Sequence, residues 1–283
     1  MENLRAGLKH NFLKQVIVRI DFNGIFDADV EECVRNIRKF LYDNQFTITN
    51  ERIENQVDLQ VRAELGIIDE SSFVVSNNQK NKIYVFSTEE KEVIEISKQF
   101  LTLTIDAGSL YKTFDYYIPI IGIVFQNLKK TSEYFKVLRL GLRKINICFF
   151  RTFEDISQYF DQAVFNTKTM KSQFSDYEYK ASNYVSVYEV DGYKVNYVRN
   201  LQQGIMEENG QPGESYQVAL DLDIYEDDIF KLHSKLDNEE RQQKTLAEMN
   251  DYIFDFFRRS LKPDFIEELK MDIFADTKIE GVI

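Results

Sequence analysis

Apolar and polar residues alternate along residues 11–22 (NFLKQVIVRIDF) and again along residues 134–150 (YFKVLRLGLRKINICFF). Strict alternation puts successive side chains on opposite faces of a strand. In the first stretch Val16, Val18, Ile20 and Phe22 share one face, and Gln15, Ile17, Arg19 and Asp21 share the other. In the second, Leu138, Leu140 and Leu142 lie opposite Arg139, Gly141 and Arg143. Each strand runs into a helical pattern, residues 27–42 and 152–164. Gly24 allows a turn before the first helix, Asp27 offers a cap, and Val30, Val34, Ile37 and Leu41 recur at helical spacing.

Shorter alternating stretches follow in each half. In the first they are residues 57–65, 82–87, 92–97 and 100–106. A long helix is expected over residues 109–128, bent at Pro119. In the second half, strands over residues 177–190 and 193–205 flank Asp191-Gly192, two residues that tolerate positive φ and so predict a tight hairpin. Residues 207–215 (EENGQPGES) have the composition of a loop, and residues 166–176 that of a linker. A last strand, residues 216–225, precedes a helix over residues 238–260 that carries Leu246, Met249, Ile253, Phe256 and Phe257 and is stopped by Pro263.

The pattern β-α-β(3–4)-α thus occurs twice, which predicts an α+β protein made of two such units, residues 1–133 and 134–283. The expected architecture is a curved, mainly antiparallel sheet backed on one side by helices. This order of elements is similar to the TATA-binding-protein-like and helix-grip folds, a likeness of topology that implies no activity.

Composition narrows the function classes. With 43% hydrophobic and 29% charged residues the chain is globular, and 11 glycines and 3 prolines favour long regular elements over loops. A net charge of −12 argues against nucleic acid as a partner. Cys33 and Cys148 each fall in an apolar periodic stretch, as buried free thiols in a reducing cytosol do. The first residues lack the apolar core of a signal peptide, and the longest apolar run, residues 116–125, is too short to span a bilayer. A soluble cytoplasmic protein with no membrane partner is therefore expected.

Two clusters could carry chemistry. Arg19, Asp21, Arg62, Arg139 and Arg143 are placed by alternation on the face opposite the helices, where guanidinium groups could hold a carboxylate or phosphate through paired bonds. The plainer expectation is that these arginines pair with Asp21, Asp58 or Glu64 across strands. Asp221 and Asp223, two apart on one strand face, are candidate ligands for a hard cation, against a solvated strand end neutralised by Arg199. His10 and His233 read as surface residues. No phosphate-binding glycine loop, dinucleotide fingerprint, zinc-ligand spacing or nucleophile triad is present, so neither a cofactor nor catalytic residues are expected.

Residues 12–22 (FLKQVIVRIDF), residues 138–146 (LRLGLRKIN) and the long C-terminal helix resemble a sporadically distributed family of uncharacterised bacterial proteins of about this length. Its members open on a similar strand and carry a G-L-R-[YK]-I-N strand in mid-chain, here residues 141–146. The resemblance covers nearly the whole chain and brings no assigned activity. The patchy distribution implies mobile or defence-associated genes. The expected function is non-enzymatic binding of an unknown protein or small anionic ligand, in bacterial defence. The alternative is a small-molecule or nucleotide-handling enzyme that uses the arginine-bearing face.

Overall fold

The computed structural model describes residues 8, 12–61, 73–107, 111–166, 179–208, 211–271 and 279–280. Among them, nine strands form one antiparallel path, and a two-residue strand joins its middle. The first half contributes β1 (Leu13–Asn23), α1 (Asp27–Asp43), β2 (Ile48–Val61), β3 (Phe73–Ser87), β4 (Glu92–Ile96), β5 (Phe100–Asp106) and α2 (Phe114–Lys130). Then come β6 (Lys136–Phe150), α3 (Phe153–Tyr159), β7 (Ala181–Val190), β8 (Tyr193–Glu208) and β9 (Gln211–Glu226). The chain closes with α4 (Ile229–Lys235), α5 (Glu239–Ser260), α6 (Pro263–Glu268) and β10 (Ile279–Glu280). The strand order is β2-β3-β4-β5-β1-β6-β9-β8-β7, with β10 beside the end of β6.

Alternation decides which face meets the helices. Val16, Val18, Ile20 and Phe22 of β1 are buried with Leu140 and Leu142 of β6 and with Val218, Leu220, Leu222 and Ile224 of β9. The strand residues of the main core cluster share this one face, and the apolar stripes of the helices pack onto it. Phe12 shows the contact closely, stacked on Phe265 at 5.6 Å and edge-on to Phe257 at 5.8 Å. The two long helices α2 and α5 lie side by side on that face, and Gln126 Nε2 of α2 donates to Gln242 Oε1 of α5 at 3.2 Å. Asn238 caps α5, its side chain accepting from the Arg241 amide at 3.0 Å.

Several boundaries differ from the sequence reading, each for a local reason. Helix α2 begins at Phe114, residues 111–113 of its expected start being non-helical and Ser109 lying outside the described residues, and α3 stops at Tyr159, five residues short of Val164. Asp27 does not cap α1. Asp29 reaches back instead, its Oδ2 accepting from the Phe26 amide at 2.7 Å. Pro263 opens α6 at its first position, where the missing N–H costs nothing. The described part of the segment expected to be a loop, residues 207–208 and 211–215, is ladder: Gly204 pairs with Ser215 and Glu208 with Gln211, so β8 and β9 pair along their full length, and residues 209–210 lie outside the described residues. The turn at Asp191 (φ 47°) and Gly192 (φ 84°) is the tight hairpin expected. Of the linker expected over residues 166–176, all but Asn166 lie outside the described residues. Cys33 and Cys148 are free and buried.

One change of face matters for the site. Asp21 pairs with Arg139, but the next pair is Phe22 with Val137, so Leu138 is a bulge residue with no partner on β1. The bulge turns Leu138 away from Leu140 and Leu142 onto the opposite face, where it is 36% exposed. Plain alternation had placed it in the core.

Candidate arginine face

The face away from the helices is a lattice of ion pairs over the central strands. On β1, Arg19 Nε donates to Asp21 Oδ1 at 2.8 Å, and its guanidinium lies 4.6 Å over the buried ring of Phe100. On β6, Arg139 Nη2 donates to both oxygens of Asp223, at 2.9 and 3.2 Å. Arg143 holds Asp221 bidentately, Nε to Oδ1 at 2.8 Å and Nη2 to Oδ2 at 2.5 Å. The carboxylates considered for a metal are therefore the partners of the arginines considered for an anion. Among the described residues no cluster of His, Cys, Asp or Glu is arranged to hold a metal ion.

Local sequence explains the geometry. Gly141 sits between the two arginines on β6, opposite Tyr225 of β9. A Cβ there would lie 2.9 Å from Arg139 Nη1 and 3.1 Å from its Cζ. The missing side chain lets the guanidinium lie flat across the strand, 4.6 Å from the Tyr225 ring, and reach Asp223. Burial pushes the Asp223 carboxyl above its ordinary pKa, while Arg139, Asn196 and Arg143 pull it back. The bond to Asp221 raises the already high pKa of Arg143.

A mutation cycle tests the glycine slot. Gly141→Val is expected to displace Arg139 and cost about 1 kcal/mol of stability in the native background. In an Arg139→Ala background the slot is empty, and the same change should stabilise by about 0.5 kcal/mol because a strand glycine is replaced. Denaturant melts of the four proteins measure the reversal of sign. Additive effects of the two changes would disprove the slot.

Beyond β1 the face is concave. Arg19 and Asp21 line an open cleft of about 460 Å³ together with Arg52, Glu54, Glu95 and Phe100. In a flat sheet β1 and β2, four places apart, would be separated by about 19 Å, so a shared cleft requires the sheet to curl toward this side. Arg52 bridges the curl, with Nη1 on Glu95 at 2.9 Å and Nη2 on Glu54 at 2.9 Å. Ile83, paired with Arg52 on the neighbouring strand, is buried beneath this layer.

The structure thus brings Arg19 and Asp21 together in the cleft and places Arg139 and Arg143 beside them on the next strand, outside it. Arg62 lies outside the described residues, as do His10 and Glu64. Arg199 does not neutralise the Asp221 end of the strand. It faces the helix side, where it donates to the Ala163 carbonyl at 3.2 Å and to Ser186 Oγ at 2.9 Å. Arg52, Glu54, Glu95 and Phe100 were not singled out from sequence. For Arg52, Glu54 and Glu95 the signal was a polar position in ITNERIE or EVIEI, and for Phe100 its phase with Thr102 and Thr104 in FLTLTID; these place them on this face without saying how near they come to Arg19. No family model matches the chain, and no curated protein matches it.

Proposed function

We propose that the chain is a non-enzymatic binding protein that receives a protein partner on its arginine-bearing sheet face. The observation that carries this reading is the state of the arginines. Arg19, Arg139 and Arg143 are each held by a carboxylate, and they are spread over two strands rather than gathered into one pocket. Guanidiniums meant for a small anion would have to give up these partners. A broad face of alternating charge instead suits the complementary charges of another protein, which set register and orientation.

The finer architecture goes with this proposal. Two β-α-β(3–4)-α units, residues 1–133 and 134–283, would meet where β1 pairs with β6. Support comes from the strand order, in which each unit's opening strand is followed outward by that unit's last long strand, β5 on one side and β9 on the other. Such a sheet would be of the TATA-binding-protein-like or helix-grip kind, with its saddle as the binding surface. A role in bacterial defence rests only on the resemblance to the sporadically distributed family, and a cytoplasmic location only on the sequence expectation from its thiols and apolar runs. The second reading, a small-molecule or nucleotide-handling enzyme, is favoured by one observation, the 460 Å³ cleft at Arg19 and Asp21.

Capture from the native host separates the two. Arg139→Ala/Arg143→Ala is expected to lower partner retention at least tenfold, about 1.4 kcal/mol, with circular dichroism unchanged. Equal retention by the variant would overturn the proposal. Loss of turnover in an Arg19→Ala variant, with partner retention intact, would favour the enzyme.

A further inference from the structure

On the helix side, away from the arginine face, a cavity of about 270 Å³ opens between the end of α2, the start of β6 and α4. Its walls are apolar, from Phe125, Phe135, Val137, Leu232 and Leu236. The aromatic wall is fixed by packing, since Phe135 lies 5.7 Å from Phe125 and 4.9 Å from Phe22. Among the described residues, the polar groups that line the cavity are Lys129, Lys136 and His233, with no carboxylate. In a chain of net charge −12, such a carboxylate-free, lysine-rimmed pocket runs against the bulk charge.

The lysines are not equivalent. Lys129 Nζ donates to the carbonyls of Leu236 at 3.1 Å and Asp237 at 2.9 Å, which fixes the ammonium and leaves one of its three N–H donors. Its charge is not cancelled by Asp237, whose carboxylate faces Arg241 at 3.7 Å. Lys136 is exposed and forms no ion pair among the described residues. His233, in the last turn of α4, adds a ring that can donate an N–H.

From this combination we infer that the cavity binds a small amphipathic anion, an acyl or aryl carboxylate whose apolar body fills the pocket while its head group meets Lys129 and Lys136. The volume lies just below the range of about 300–1,000 Å³ usual for drug-sized ligands, which points to a body of medium-chain length. The inference is independent of the sheet-face reading, because the cavity and that face lie on opposite sides of the sheet.

The probe is decanoate, titrated calorimetrically into the intact protein, with decylammonium as the opposite-charge control. Saturable one-to-one binding of decanoate is expected, with none of decylammonium. Lys136→Glu should weaken decanoate binding at least tenfold with circular dichroism unchanged. Leu232→Trp, which fills the cavity, should abolish it. Should the tryptophan variant fail to fold, the Lys136→Glu titration still decides. Absence of decanoate binding, equal binding of decylammonium, or indifference to Lys136→Glu would overturn the assignment. So would a concentration-dependent dimer in sedimentation that decanoate does not dissociate and Lys136→Glu does, since a second copy would then be the occupant.

Discussion

Gly24→Ala is expected to destabilise the protein by about 3 kcal/mol, more than most single changes. Gly24 has φ +85°, a conformation that costs an alanine about 1–2 kcal/mol before any contact is considered. The contact is worse. A Cβ at this position would stand 1.9 Å from the Tyr134 carbonyl oxygen and 2.6 Å from its carbon, and both are backbone atoms that cannot swing aside. Ser132 Oγ, donating to the Gly24 carbonyl at 2.8 Å, ties the same two segments together. The turn after β1 and the connection before β6 are therefore clamped where the central strand pair ends, at Asn23 and Lys136. Separating them to admit a methyl group pulls on that ladder. For a chain of this size 3 kcal/mol corresponds to a drop of about 6–12 °C in Tm. Gly204 is the control, because a Cβ there meets nothing within 4 Å, and its alanine variant should melt within about 0.5 kcal/mol of the native protein. A Gly24→Ala melt as close to native as that would show that the clamp yields at little cost.

Gly24 was legible in the sequence as a turn, but the reason for a glycine there was not. Its need comes from Tyr134, more than a hundred positions along the chain. The same division runs through the rest of the molecule. Strand β1, helix α5 and the Asp191-Gly192 turn follow from local pattern, because alternation, an Asn cap and positive φ are properties of neighbouring residues. The outer ends of β8 and β9 are not legible from local pattern because residues 207–208 and 211–215 carry no apolar alternation. At the site, alternation placed Arg19, Arg139 and Arg143 on the correct face. Their partners were a different matter. Asp223 and Asp221 meet Arg139 and Arg143 only because β9 pairs with β6, and strand order across more than seventy intervening residues leaves no local trace. Leu138 was misplaced by a single bulge, which reverses a face without changing composition.

Arg139→Ala is expected to lose about 2 kcal/mol near pH 7 and far less near pH 3. The ion pair is mostly shielded, with Arg139 and Asp223 side chains 28% and 23% exposed. Burial holds the Asp223 carboxyl above its ordinary pKa in the folded protein. A carboxyl raised by folding contributes stability below its unfolded pKa, about 3.9, and loses that contribution as pH rises through the folded value. In the native protein Arg139 limits the loss by favouring the charged form. Without Arg139 the folded pKa moves higher still, and the carboxylate must ionise in a shielded place without its bidentate partner. The two stability curves should therefore nearly coincide at low pH and separate as pH climbs past about 4. What difference remains at low pH belongs to the guanidinium stacked 4.6 Å over Tyr225. Adding Asp223→Asn to the Arg139→Ala variant should recover most of the loss near neutrality, because a neutral amide of the same shape needs no cation. Urea melts of the native, single and double variants across this pH range measure both effects. A loss that is constant with pH and is not rescued by asparagine would assign the role of Arg139 to its stacking on Tyr225. The guanidinium would then be energetically free to exchange Asp223 for the carboxylate of a partner.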